Sequence, residues 1–277
     1  MKFRFHSSAA LPLLMSLSCT APFALFAQDV LPNSKILVIS REYTKPGKDG
    51  APHQMVEGAY PRALAANNIP NHYYAMVSLS GPPRALFFHG YSSFADMAAA
   101  QKNATGDSAL SATLDRTNAA DGDLLSSKDY SVWSKRDDLS LDPGFRVGAR
   151  YQEVMQFFIR PGHYREWEEL VKLVIDGYKK GVPGAHFGTY EEAYGSPGGG
   201  YLVLITVKSA ADLDAEEGQG KQFEEALGAE GMKKMEELEA ACVESRQTNL
   251  FVIDPKMSYP PEAWVKADPD FWMPAKK

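Results

Sequence analysis

The chain has 277 residues and a formal net charge of −6, with 44% hydrophobic and 23% charged residues. No cluster of lysine and arginine interrupts this acidic balance, which argues against a nucleic-acid partner. The length predicts one large domain or two small ones. A chain of this size can bury enough apolar surface to fold without disulfides.

The first 27 residues have the layout of a secretory signal peptide. Lys2 and Arg4 precede an apolar run that ends in "ALFAQD", so we expect cleavage after Ala27 and export to the periplasm or medium. Two prolines and two serines interrupt the run, which makes a membrane anchor the weaker alternative. Lipoprotein anchoring at Cys19 is also less favoured. Cleavage would leave 27 basic against 35 acidic residues, a net charge of −8.

Residues 34–137 predict a first structural unit. "KILVISREYT" predicts a strand that ends at Pro46-Gly47, and a helix interrupted at Pro61 follows. Two β-rich runs around "SGPP" predict a hairpin. Ser93 then caps a helix, with Asp96 three residues on, and "DYSVWSKR" predicts the last strand.

Residues 148–253 repeat this order. "RYQEVMQFFI" predicts a strand, Pro161-Gly162 the turn, and "YREWEELVKLVIDGYKK" an amphipathic helix. Its apolar face comprises Trp167, Leu170, Val171, Val174 and Tyr178. A hairpin around "GSPGGG", a helix capped by Ser209 and the strand "QTNLFVI" complete the unit.

The repeated order is βαββαβ, the ferredoxin-like arrangement, so the predicted fold class is α+β. Helices cover one face of such an antiparallel sheet, and the other face also carries apolar residues, such as Phe157 and Phe158 on successive positions. We therefore expect the two units to pair sheet to sheet. Whether they pair within one chain or between chains stays open.

The motifs "KPGK"/"RPGH" and "FHGYSSFADM"/"ITVKSAADL" carry a resemblance over about residues 34–253. The chain resembles the dimeric α+β barrel superfamily, in particular its NIPSNAP-like and antibiotic-biosynthesis-monooxygenase-like branches. The resemblance implies a barrel of two tandem modules. It implies no single activity, because the superfamily contains cofactor-free monooxygenases, haem-handling proteins and proteins without known catalysis.

Residues 254–277 form a tail rich in proline and aromatic residues. Its aromatic side chains are Trp264, Phe271 and Trp272, and we expect the tail to pack back on its own chain. Cys242 lies at helical spacing from Leu238 and is expected to be a buried, inert thiol.

The candidate site residues are polar side chains on predicted strands, since the barrel interior is the natural place for a ligand in this architecture. The candidates for ligand binding are Arg41, Tyr43, His72, Tyr74, His89, Tyr91, His186 and Tyr190. Such a set would suit an anionic or aromatic molecule, or a proton transfer. His53 and His163 lie near crossover turns, and we expect both to be solvated.

No nucleophile elbow, phosphate-binding loop or metal-ligand spacing is present, so no cofactor and no metal site are predicted. The leading hypothesis is an exported barrel protein of uncharacterised activity that binds a small molecule or a protein partner. The alternatives are a cofactor-free monooxygenase-like enzyme acting on an aromatic substrate and a haem-handling protein. Catalysis is left open, and so is a homo-oligomer. No membrane span is expected after signal cleavage.

Overall fold

The structure, a computed structural model, describes residues 34–106, 108–144, 146–195 and 198–273. The predicted signal peptide and Cys19 lie outside these residues. In the described part of the chain, no helix is both long enough and apolar enough to cross a membrane.

Among the described residues, the first unit contains four strands and four helices. In chain order they are β1 (Ile36–Thr44), α1 (Ala51–Glu57), α2 (Ala59–Ala66), β2 (Tyr73–Ser78), β3 (Arg84–Tyr91), α3 (Phe94–Thr105), α4 (Ser108–Gly122) and β4 (Leu125–Lys135). The predicted interruption near Pro61 is confirmed as the break between α1 and α2 at Gly58. Pro61 has no N–H to donate to the carbonyl of Glu57, so one continuous helix would lose that hydrogen bond.

A 3₁₀ turn (Asp137–Leu139) leads to the second unit. Its elements are β5 (Tyr151–Ile159), α5 (Tyr164–Gly181), β6 (Gly188–Tyr194), β7 (Gly200–Val207), α6 (Ala210–Asp214), α7 (Glu216–Cys242) and β8 (Val243–Tyr259), followed by α8 (Glu262–Ala267) and α9 (Pro269–Trp272). The two predicted helix caps are confirmed, with Ser93 Oγ accepting from Asp96 N at 3.1 Å and Ser209 Oγ from Asp212 N at 3.3 Å. β8 continues beyond the predicted end of the unit at residue 253.

The eight strands close into one barrel in the order β1-β3-β2-β8-β5-β7-β6-β4, with every neighbouring pair antiparallel. Each unit supplies four adjacent strands in the ferredoxin-like arrangement. β2 pairs with β8 and β4 with β6, so the two predicted sheets join at both edges within a single chain. The predicted α+β barrel is confirmed. Because the barrel closes within one chain, the two units pair within the chain and not between chains.

The barrel interior is filled by side chains from both units. Its largest buried members include Trp133, Phe88, Leu202 and Phe251. The C-terminal tail contributes to the same core, since Trp264 and Trp272 lie against it with their rings 5.7 Å apart. The expectation that the tail packs on its own chain is confirmed. Cys242 is fully buried, as expected.

Candidate functional site

The predicted ligand-binding residues on the inner face of the barrel are Arg41, Tyr43, Tyr74 and Tyr190. Tyr74 and Tyr190 are each 5% exposed and belong to the packed core. Arg41 donates to Asp129 Oδ1 at 2.5 Å and to Ser131 Oγ at 2.7 Å. Arg41 and Tyr43 line a cavity of about 80 Å³ at one end of the barrel. That volume holds a few water molecules at most, so the packed interior leaves little room for an organic ligand.

The other four candidates lie elsewhere. His89 and Tyr91 alternate with the inward Phe88 and face the helices of the first unit, where the His89 ring lies 4.8 Å from that of Tyr73. Burial, helped by the charge of Lys128, lowers the pKa of His89 to about 4. His72 packs against Tyr259, with ring centroids 4.6 Å apart.

His186 precedes β6 in the second unit. The eight candidates therefore do not converge on one site, and their part in ligand binding stays a prediction.

A much larger cavity, of about 680 Å³, lies in the second unit between the outer face of the sheet and the helices. From the sheet, Met155 and Phe157 on β5 and Val203 and Ile205 on β7 line it. These positions alternate with residues that point into the barrel, such as Val154 and Leu202. Both faces of these strands thus carry apolar side chains, and the outward ones make up the floor of the cavity.

The cavity roof comes from α5 and α7. The apolar face predicted for α5 is confirmed, since all five of its members line the cavity: Trp167, Leu170, Val171, Val174 and Tyr178. Phe223 and Met235 of α7 complete the roof. The helices meet closely at Gly181, where an added Cβ would lie 2.5 Å from the backbone oxygen of Gln222.

One buried donor in the cavity wall has no acceptor. Trp167 is 2% exposed, its ring packs on those of Phe157 and Tyr201 at 4.9 and 5.1 Å, and its Nε1 has no hydrogen-bond partner. An unsatisfied buried N–H of this kind costs about 1–3 kcal/mol.

His186 lies at the cavity with both ring nitrogens already near acceptors. Nδ1 is 3.2 Å from the Gly184 carbonyl oxygen, and Nε2 is 3.0 Å from the Thr206 carbonyl oxygen and 3.1 Å from Thr206 Oγ1. Both ring nitrogens are thus occupied by contacts within the protein. His186 is therefore poorly placed to ligate a haem iron or to accept a proton from a substrate.

A cluster of ionisable side chains lies in the first unit, where β1, α1 and α4 meet. It contains Glu42, His53, Glu57 and Asp121, which are all at most 3% exposed. His53 Nε2 lies 3.1 Å from Glu42 Oε2 and 3.3 Å from Asp121 Oδ1. Lys128 on β4 forms an ion pair with Glu42 and lies 4.0 Å from Asp121 Oδ2.

The prediction that His53 is solvated is wrong, whereas His163 is half-exposed. Burial alone would lower the pKa of His53, but hydrogen bonds to Asp121 and Glu42 outweigh it and raise the pKa to about 9. Burial and the charges of Glu42 and Asp121 raise the pKa of Glu57 to about 9.

A sequence signal for this cluster did exist. His53 and Glu57 are four residues apart on α1 and so share one helix face, and Glu42 points away from the inward Arg41 on β1. No spacing pointed to Asp121, which comes from α4 far along the chain.

Comparison with known proteins supports the fold. No protein-family model and no curated protein sequence matches the chain. Among solved structures, a monooxygenase-like protein from Fusobacterium nucleatum subsp. nucleatum superposes with a TM-score of 0.52 at 8% identity, covering 79% of this chain and 91% of its own. An anthrone oxidase-like protein superposes with a TM-score of 0.52 at 15% identity, covering 81% and 94%.

A mutant chlorite dismutase from Candidatus Nitrospira defluvii gives a TM-score of 0.49 at 9% identity, covering 87% and 98%. The two superpositions with TM-scores of 0.52 show that the chain has the dimeric α+β barrel fold.

Proposed function

We propose that the protein is an exported, NIPSNAP-like barrel protein that binds an apolar or aromatic small molecule in the 680 Å³ cavity of its second unit. The observation that carries this proposal is the cavity itself. Its volume lies in the range of small-molecule sites, and both its floor and its roof are apolar. The barrel interior, by contrast, is filled by its own side chains.

The lining indicates what the ligand looks like. Phe157, Trp167, Tyr178 and Phe223 present aromatic surfaces, which suit a flat or hydrophobic body. Among the charged side chains at the cavity, Arg246 and Glu239 pair with each other at 3.2 Å.

A cavity-filling substitution tests the proposal. Val174 lines the cavity from α5, so Val174→Trp should block it while Val174→Ala leaves it open. The hydrophobic fluorescent probe 8-anilinonaphthalene-1-sulfonate should bind the wild-type protein and Val174→Ala with one saturable site. Val174→Trp should lose that site. Equal binding by all three folded proteins would overturn the proposal.

Native mass spectrometry of protein purified from its own host gives a second readout. A retained molecule should carry an apolar body, and its mass should be absent from Val174→Trp. A retained molecule that is strongly charged and lacks apolar surface would contradict the proposed chemistry of the site.

Cofactor-free oxidation of the bound molecule is the second candidate function. The proteins with TM-scores of 0.52 are described as monooxygenase-like and anthrone oxidase-like, and an aromatic-lined cavity would hold such a substrate. Oxidation of an anthrone by dioxygen gives the anthraquinone and one water molecule, so one dioxygen would be consumed per substrate. Oxygen uptake with anthrone as the probe separates turnover from binding alone.

Haem handling receives less support. A haem in this cavity would need a histidine nitrogen free to reach the iron, and both nitrogens of His186 already face protein oxygens. Adding haemin to the purified protein should therefore leave its Soret band unshifted.

Export rests on the basic start and apolar run of residues 1–27. The mass of the protein recovered from a periplasmic or secreted fraction should correspond to a chain that begins at Gln28. Recovery of the full-length chain from the cytoplasm would contradict export and leave the binding proposal untouched.

A further inference from the structure

We infer that the buried cluster of Glu42, His53, Glu57 and Asp121 is a binding site for one divalent first-row transition-metal ion. The site lies in the first unit, away from the cavity of the second. Each of the four residues offers one ligand atom, and these atoms all lie within 4.8 Å of one another. Because the cluster and the cavity lie in different units, this proposal does not depend on the ligand proposed for the cavity.

The spacing of the donor atoms fits a metal ion. In a four-coordinate site with metal–ligand distances near 2.1 Å, neighbouring donor atoms are about 3.4 Å apart. His53 Nε2 is 3.1 Å from Glu42 Oε2 and 3.3 Å from Asp121 Oδ1. The imidazole nitrogen is thus already at that separation from two carboxylate oxygens. Glu57, the fourth ligand, offers an oxygen within 4.8 Å of the other three ligand atoms.

One ligand atom in the cluster, Glu57 Oε1, is buried without a hydrogen bond, and its residue is 3% exposed. Asp121 Oδ1, on a residue that is 1% exposed, has His53 Nε2 at 3.3 Å. A buried carboxylate oxygen without a donor is costly, because burial removes its hydration and nothing replaces it. A metal ion at the centre of the cluster would satisfy Glu57 Oε1.

The charges of the metal-bound form would also balance. With His53 neutral and all three carboxylates ionised, Lys128 and a divalent ion together would supply three positive charges against three negative ones. Three carboxylates and one imidazole form a ligand set that suits Mn²⁺, Fe²⁺ or Zn²⁺. The side chain of Lys128 is 27% exposed, whereas those of His53, Glu42 and Asp121 are almost fully buried. An ion would therefore enter past Lys128.

The second unit shows that this cluster is not a requirement of the fold. Glu42 stands four residues before the proline of its Pro-Gly turn, and Phe157 holds the same place in the second unit. Phe157 packs against Trp167 and lines the apolar cavity. One unit of the repeat has apolar residues at this sheet–helix interface and the other has four potential ligands, which points to a role for the ligands themselves.

The test is a titration of the full chain after treatment with a chelator. Isothermal calorimetry with Zn²⁺ and with Mn²⁺ should show one ion per chain. Glu57→Gln keeps the shape of the side chain and removes the anionic ligand, so it should weaken binding by a factor of about ten or more. The matched control is Glu166→Gln, which removes a half-exposed carboxylate 3.3 Å from His163 and should leave binding unchanged.

Lys128→Met is a second variant that does not touch a ligand. Removal of the competing ammonium group should tighten binding of both ions. With Co²⁺ as the probe, the wild-type protein should also gain visible absorption bands typical of a low-coordinate site, and Glu57→Gln should lose them. The inference is overturned if the wild-type protein binds neither Zn²⁺ nor Mn²⁺, or if folded Glu57→Gln binds them as tightly as the wild-type protein does.

Discussion

Tyr74 of the first unit donates a hydrogen bond from its phenol to Gln152 Oε1 of the second, at 2.8 Å in the fully packed interior of the barrel. Both side chains are almost completely buried, and burial raises the pKa of Tyr74 above its usual range. The bond therefore joins a neutral donor to a neutral acceptor. It is a polar contact between the two units in an interior that is otherwise mainly apolar.

Removing this bond should destabilise the whole barrel. Tyr74→Phe keeps the ring and leaves Gln152 Oε1 without this donor, so we expect a loss of about 1–3 kcal/mol in the free energy of unfolding. Urea denaturation measures it. Tyr130→Phe, at a position that is 56% exposed, is the control and should change stability little. If both variants lose the same free energy, the buried bond is not the cause.

The C-terminal tail should matter as much as the barrel strands. Trp264 is 2% exposed and its ring lies 6.0 Å from that of Tyr74, so Trp264→Ala would open a cavity in the shared core. We expect a loss of about 3–5 kcal/mol, measured by thermal or urea unfolding. Met273→Ala, at a position 68% exposed in the same tail, should be nearly neutral. A neutral Trp264→Ala would show that the tail is dispensable for the fold.

Two glycines should respond in opposite directions to the same substitution. At Gly181 an added Cβ would lie 2.5 Å from Gln222 O and 2.6 Å from Ala226 Cβ, so Gly181→Ala must push α5 and α7 apart and destabilise the protein. At Gly218, within α7, an added Cβ meets nothing within 4 Å. Gly218→Ala should stabilise by about 0.5–1 kcal/mol through helix propensity. Differential scanning calorimetry should show a lower unfolding temperature for Gly181→Ala and a higher one for Gly218→Ala than for the wild-type protein.

The stability of the chelator-treated protein should fall at alkaline pH. His53 and Glu57 both have pKa values raised to about 9, from ordinary values of 6.5 and 4.5, with Glu42, Asp121 and Lys128 as the charged neighbours. A group whose pKa is raised by folding contributes its full stabilisation when the pH is below the pKa of the unfolded state. That stabilisation is lost as the pH rises through the pKa of the folded state. Each proton involved changes the free energy by up to about 1.4 kcal/mol per pH unit.

Urea unfolding at pH 7, 8 and 9 measures this slope. Glu57→Gln removes one of the two protons, so its stability should fall less steeply over that range than that of the wild-type protein. A wild-type stability that rises between pH 7 and 9 would contradict the raised pKa values.

Much of the fold could be predicted from the sequence because its signals are local and repeated. The Pro-Gly turns at Pro46 and Pro161 and the caps at Ser93 and Ser209 each act within a few residues, and their common order gave the βαββαβ repeat. The apolar face of α5 was visible at helical spacing. These elements were found where the patterns placed them.

The candidate site was harder to predict because it depends on packing between distant elements. Strand alternation correctly separated Arg41 from Glu42, but it could not show that the barrel interior is filled partly by Trp264 of the tail. His53 looked solvated beside a turn, yet Asp121 of α4 and Glu42 of β1 enclose it. The cavity beneath α5 depends on how α5 and α7 pack over the sheet, which no spacing along the chain encodes.

The closure of the barrel through β2–β8 and β4–β6 in a single chain has an evolutionary consequence. A barrel assembled from two identical subunits acquires every amino-acid change in duplicate, so a substitution that helps one half is imposed on the other. Covalent fusion removes that coupling, and each half can mutate on its own. Glu42 and Phe157 hold matching places in the two units and differ in this way: the surroundings of Glu42 are ionic and closed, whereas Phe157 lines an apolar cavity.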